Sequence, residues 1–238
     1  MPSRRTNADS RSSSEETVRR LIGAATQLLS DKGPYEIKAR AVAEIAQVST
    51  TAVYYHLGGL PELLQAVVDR AFRELDLHFS TAVSIGDPVA ELFSMALAAR
   101  RLAKANPHLY DLMFGLSARG NYRAPEATSE QGGSRTGAFA DAYAHLVQAC
   151  ARLHAQAPMC EGAEPELVAS QLWSCVHGFI TLELGGQFTN LHDPVREILV
   201  PMTTGVLVAA GEEPSRVAAS YRVALADDGA PTEGIVGS

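Results

Sequence analysis

The stretch ARAVAEIAQVSTTAVYYHLGGLPELL, residues 39–64, decides the fold. It holds two short helical segments, and the first has a side of small residues, Ala39, Val42, Ala43 and Ala46. A tight connection, QVS, follows, and Ser49 is suited to cap a helix that starts at Thr50. Gly58 and Gly59 break the chain again, and Pro61 sits in the first turn of a longer helix bearing Leu63, Leu64, Val67, Val68, Ala71 and Leu75. Two short helices joined by about three residues, the first with a small face, form a helix-turn-helix. The small face lets the second helix cross close to the first, with Val48, Val53 and Leu57 turned inward. Thr50, Thr51, Ala52, Tyr54, Tyr55 and His56 are then left for solvent or a partner.

Those six residues suit DNA. The threonine hydroxyls reach phosphates or base edges, the methyls of Thr50, Thr51 and Ala52 touch thymine, and tyrosine hydroxyls reach the backbone. Small residues at the helix tip suit a major groove roughly 12 Å wide. The unpaired N–H groups of the first turn add a place for phosphate. A buried helical hairpin is the other reading, and exposed aromatics without a matching apolar face argue against it.

Working outward, apolar residues recur at helical spacing almost throughout, and strand-like alternation is nearly absent, so the chain reads as all-α. Ser13 and Glu16 have capping-box spacing ahead of a stripe of Val18, Leu21, Ile22, Ala25, Leu28 and Leu29. The DKGP stretch at 31–34 ends that helix. Further helices are expected near 88–105, 107–115, 137–156, 165–187 and 195–210, with a long Gly- and Ser-rich loop between 116 and 136. After Gly211 large apolar residues are scarce, and the expectation is a mostly irregular tail with at most one short helix near 215–226.

Charge is unevenly spread over the 238 residues. Residues 1–57 hold eight Lys/Arg against six Asp/Glu, and the remainder hold twelve against twenty-one, within a total of −7. The only positive balance therefore falls on the segment that includes the helix-turn-helix. Three cysteines, Cys150, Cys160 and Cys175, make an odd number without C-x-x-C spacing, which favours buried thiols over a disulfide framework or structural zinc. His154, His177 and His192 are too scattered for a metal site, and no cofactor is implied. The polar N-terminus lacks the apolar stretch of a signal peptide, no run is long enough to span a membrane, and a cytoplasmic protein is expected. Enzyme signatures are missing: no phosphate-binding or dinucleotide fingerprint occurs, and Ser117 in GLSARG lacks the G-x-S-x-G context.

Residues 17–75 resemble the N-terminal domain of the tetracycline-repressor (TetR) family. The matching pieces are AATQLLSDKG at 24–33, ARAVAEIAQVSTTAVYYHL at 39–57 and ELLQAVVDRAF at 62–72. The resemblance implies DNA contacts from Arg40, Thr50, Thr51, Ala52, Tyr54, Tyr55 and His56. Lys38 stands where the family commonly has a threonine, and a phosphate contact from it fits as well. Three positions depart from the pattern. Gln47 replaces a turn glycine, Leu60 replaces a phosphate-contacting lysine, and Gly59 replaces a capping serine. Arg4, Arg5 and Arg11 of the N-terminal arm are available to replace the lost contact, if the arm is more than a disordered tail.

A second resemblance lies toward the C-terminus. LWSCVHGFITLELG at 172–185 resembles a large TetR subclass with a Trp-His-Gly (WHG) signature on this helix, as does NPHLYDLMFG at 106–115. Trp173 and His177 are four apart and share a helix face. Together with Tyr110, Met113, Phe114 and Phe179 they suggest an apolar effector pocket with one polar handle, although packing within a core explains the same residues. By resemblance the helices near 165–187 and 195–210 build a homodimer interface.

The expected organisation is a disordered arm at 1–14, a three-helix DNA-binding domain at 15–60, a larger helical effector-binding and dimerisation domain at 61–210, and a tail at 211–238. The implied function is a ligand-responsive homodimeric regulator, a repressor released from a palindromic double-stranded operator by a small apolar molecule. The alternative, motivated by Gln47 and Leu60, is a helical interaction protein that has lost specific DNA binding.

Overall fold

The computed structural model describes residues 7–114, 137–156 and 163–228. Arg4, Arg5, the side chain of Arg11, Cys160 and the expected loop with Ser117 lie outside the described residues. Ten α-helices and no strand make up the described chain: α1 Asn7–Lys32, α2 Ala39–Ile45, α3 Thr50–Leu57, α4 Leu60–Ala82, α5 Pro88–Ala105, α6 Pro107–Phe114, α7 Gly137–Gln156, α8 Pro165–Leu184, α9 Val200–Ala209 and α10 Pro214–Asp228. Among the described residues no helix is long and apolar enough to cross a membrane. The described residues form two compact units, one from residues 7–74 with 106–114 and 137–139, the other from 75–105 with 140–156 and 163–228.

In the first unit α1 buries Leu21, Ala24, Ala25, Leu28 and Leu29, a stripe at helical spacing. The helix starts at Asn7, so Ser13 and Glu16 lie inside it and do not cap it. It stops where expected: Gly33 has a φ of 78°, its N–H donates to the Leu29 carbonyl at 2.9 Å, and Pro34 opens a short 3-10 turn. α2, α3 and α6 pack against α1, and the ring of His108 on α6 lies beside Gly33. Phe72 of α4 meets the rings of Phe114 and Phe139 edge-on, at 5.6 and 5.3 Å.

The second unit is arranged around α5. Val89, Ala90, Leu92, Phe93, Met95 and the alanines from Ala96 to Ala103 are nearly all shut off from water. Even Glu91 is only 1% exposed, and it is paired with Arg152 of α7. Such a buried carboxylate is tolerable only with its partner in place. Arg100 near the other end of α5 grips Glu183 of α8 in two bonds, Nε to Oε2 at 2.8 Å and Nη2 to Oε1 at 2.6 Å. Cys150 of α7 is fully buried, and burial, reinforced by Glu166, pushes its thiol up to about 12.

One local feature differs from expectation. The helix foreseen at 195–210 opens with a π-helical turn, Val195–Leu199, in which the Val200 N–H reaches back to the Val195 carbonyl. Pro201, which follows, brings no N–H, and the buried Thr203 hydroxyl donates to the Leu199 carbonyl at 2.8 Å. The short helix expected near 215–226 in the tail after Gly211 is present as α10, fifteen residues long and packed on α5 and α9. Its buried face is Val217, Ser220, Tyr221 and Ala224. That stripe has helical spacing with small or polar members.

α10 is tied to the start of α5 by one carboxylate. Asp87 Oδ1 accepts the Val89 N–H at 3.0 Å, and Oδ2 accepts the hydroxyl of Ser220, itself 2% exposed, at 2.6 Å. Asp87→Ala should therefore lower stability by about 2 kcal/mol, combining a lost N-cap with an orphaned buried hydroxyl. Urea denaturation of the two proteins measures this, and a change under about 0.5 kcal/mol would mean the clamp contributes little.

Candidate functional site

The helix-turn-helix is built as its sequence suggests, and its turn contains one strained residue. α2 starts after Lys38, whose backbone is extended and whose carbonyl accepts the Val42 N–H at 3.0 Å. Val42, Ala43 and Ala46 are buried, so α3 packs on α2 across small side chains. Ser49 caps α3, its Oγ accepting the Ala52 N–H at 3.3 Å. Between the helices Gln47 has a φ of 54°, the single positive value found among described non-glycine residues. Here the turn does use the left-handed conformation that glycine adopts freely. The Gln47 carbonyl accepts from Arg20 Nη2 of α1 at 3.3 Å, which helps hold the strained turn.

Val53 is fully buried and anchors α3, while Val48 and Leu57 are half-buried. Thr50, Thr51, Tyr54 and Tyr55 are exposed, Tyr55 at 83% and Tyr54 at 57%. Ala52 and His56 are half-buried. Lys38 and Arg40 are exposed at the start of α2, and Lys38 Nζ lies 3.6 Å from Glu36 Oε2. All eight candidate DNA-contacting residues thus fall on α2, α3 and the residue that precedes α2. At the start of α4, Gly59 is buried, and a Cβ there would meet Glu62 Oε2 at 3.1 Å. That atom is the far end of an exposed, flexible side chain, so a serine here asks only a small shift of Glu62.

A separate cavity lies in the second unit. It is small and partly open, with a volume of about 20 Å³, and is lined by Phe79, Phe93, Met95, Trp173, Thr203 and Leu207 among others. Among the described residues no charged side chain lines it. Of the six residues marked for effector binding, Trp173 lines this cavity. His177 stacks edge-on against Trp173, with ring centroids 4.3 Å apart. Phe179 is buried and stacks on Phe188 at 5.4 Å. Tyr110, Met113 and Phe114 belong to the first unit, where Tyr110 is buried against Phe114 at 4.8 Å. Burial, and next to it Asp111, raises the Tyr110 phenol far above its usual range. Most of the lining went unforetold because Met95, Ala96 and Leu207 carry no signal that separates a cavity wall from ordinary core.

Residues 92–206 match the family model described as "Tetracyclin repressor-like, C-terminal domain". The all-helical fold is that of tetracycline-repressor-type regulators. A protein of unknown function from Rhodococcus sp. RHA1 is 22% identical with a TM-score of 0.67, over 82% of this chain and 96% of that one. RolR in complex with resorcinol is 14% identical with a TM-score of 0.58, over 89% and 95%. SmeT, the repressor of a Stenotrophomonas maltophilia multidrug efflux pump, was solved with triclosan. It is 18% identical with a TM-score of 0.55, over 81% and 90%. No curated protein sequence matches the chain.

Strain at the turn gives a direct test. Gln47→Val should destabilise the chain by about 1–2 kcal/mol, because a β-branched residue is still less suited to positive φ. Gln47→Gly should be neutral or mildly stabilising in the same urea titration. Equal stability of the valine variant would show that the turn relaxes without cost.

Proposed function

We propose that the chain is a TetR-family transcriptional regulator, a cytoplasmic homodimer that reads a palindromic operator and responds to a small apolar effector. The observation that carries this is the exposed face of α3, where Thr50, Thr51, Tyr54 and Tyr55 stand in water while Val53 fixes the helix from behind. Large aromatic side chains held in solvent on a short, well-capped helix need a partner. A duplex groove accepts just such a helix, its N-terminal residues at base edges and its later residues at the backbone. Arg40 and Lys38 add positive charge beside it, in a chain whose net charge is −7.

The effector site we assign to the cavity beside Trp173, which has to widen to take any molecule much larger than water. Its uncharged lining favours a neutral ligand, since a buried charge without a partner is costly. Resorcinol on RolR and triclosan on SmeT are consistent with small molecules as effectors of this fold. Trp173, His177 and Gly178 support placement in the WHG subclass. Helix α4 supplies residues to both units and is the proposed lever between effector and DNA. A coupling of about 1–3 kcal/mol suffices for regulation. Repression, rather than activation, is proposed on the resemblance and on SmeT's printed role.

Dimerisation is assigned to α8 and α9, which pack together and leave Leu167, Leu182, Met202 and Val208 exposed. Gly178 and Gly205 lie on the exposed sides of these helices, and a Cβ at either would meet nothing within 4 Å of the same chain. Mid-helix glycine costs about 1 kcal/mol relative to alanine, so close approach of a second copy gives these positions a purpose.

Two outcomes are expected. Selection from random duplex DNA should enrich a palindrome with half-sites about one helical turn apart, and Tyr55→Ala should weaken binding to it without altering the dimer. Failure of the folded protein to enrich any sequence would favour the interaction-protein reading. In analytical ultracentrifugation Gly178→Leu should shift the chain toward monomer; an unchanged dimer would move the interface elsewhere.

A further inference from the structure

His56 sits in the last turn of α3, about 9 Å along the helix axis from Thr50. Its ring is held from two sides. Ser14 Oγ of α1 lies 3.1 Å from Nδ1, and the Tyr55 ring meets it edge-on at a centroid distance of 4.9 Å. The Ser14–His56 bond joins residues 42 apart in sequence, so it ties the far end of α3 to α1. Both residues are half-buried. No hydrogen bond to Nε2 is found among the described residues. The two ring nitrogens point in widely different directions, so a ring whose Nδ1 faces α1 turns Nε2 away from it.

We propose that Ser14 is a positioning residue for DNA binding: its hydroxyl donates to His56 Nδ1 and so fixes Nε2–H as a donor to a phosphate of the duplex. This rests on the DNA-binding reading of α3. A neutral imidazole carries one donor and one acceptor, and a bond to one nitrogen decides the role of the other. With Nδ1 occupied as acceptor, the proton resides on Nε2. A ring so fixed loses little freedom on binding. The position is right for backbone rather than base, because the N-terminal residues of such a helix take the base edges. Neither partner alone marks this in the sequence: Ser14 lies within a serine run at 12–14, and nothing local links it to residue 56.

The test is a double-mutant cycle on the full chain, read as affinity for the duplex enriched by selection. Ser14→Ala should weaken binding about threefold to tenfold, with circular dichroism and dimerisation unchanged. His56→Ala should weaken it at least as much, and adding Ser14→Ala to His56→Ala should cause no further loss. Ser14→Thr, which keeps the hydroxyl, should restore affinity. An unchanged Ser14→Ala protein overturns the proposal. So does an equal loss on the His56→Ala background, since that would show Ser14 acting through helix packing and not through the imidazole. Wild-type protein that binds no duplex would instead overturn the DNA-binding reading on which the proposal stands, whereas failure of the proposal alone leaves wild-type binding intact.

Discussion

The burial of α5 is the constraint on which the second unit depends. Most of its side chains are excluded from water, and many of them are alanine. Small side chains permit close helix approach, so neighbours can pack against several sides of one helix. Burial on that scale also demands that its charges be answered. Glu91 is met by Arg152 and Arg100 by Glu183, which fixes α7 and α8 in register with α5. Asp87 does the same for α10. The cavity beside Trp173 has walls from α5 and α8.

The first unit works by a different economy of space. α3 is too short to be stable alone and is held by one fully buried valine, one serine cap and the small face of α2. That leaves most of its surface free. Freedom of this kind is what a reading helix requires, since any side chain committed to the core is lost to a partner. His56 is intermediate, half-buried and held at one ring nitrogen by Ser14. The strained turn at Gln47 belongs to the same arrangement, because α3 crosses closely over α2 only if the connection is tight.

Much of this was legible in the residues. The all-α class, the helix-turn-helix, the Ser49 cap, the break at Gly33 and the bounds of α5 and α7 follow from periodicity and punctuation, which are local properties. α10 also falls close to its expected span, although its buried face, Val217, Ser220, Tyr221 and Ala224, is only partly apolar. The start of α1 was placed too late because Ser13 and Glu16 have the spacing of a cap while lying inside a helix. The cavity was legible only at Trp173. An alanine or leucine that lines a void has the same sequence context as one that fills a core, and the difference lies in what fails to reach it.

The sequence by itself determined most helix bounds and which faces are apolar, because those depend on side chains a few positions apart. Only the tertiary structure decided that the residue at 47 takes positive φ, that one carboxylate at 87 serves two helices, and that Ser14 meets His56. Each of these joins groups distant in the chain, or depends on how tightly two helices cross. Such pairings are set by packing of the whole unit, and no local pattern encodes them.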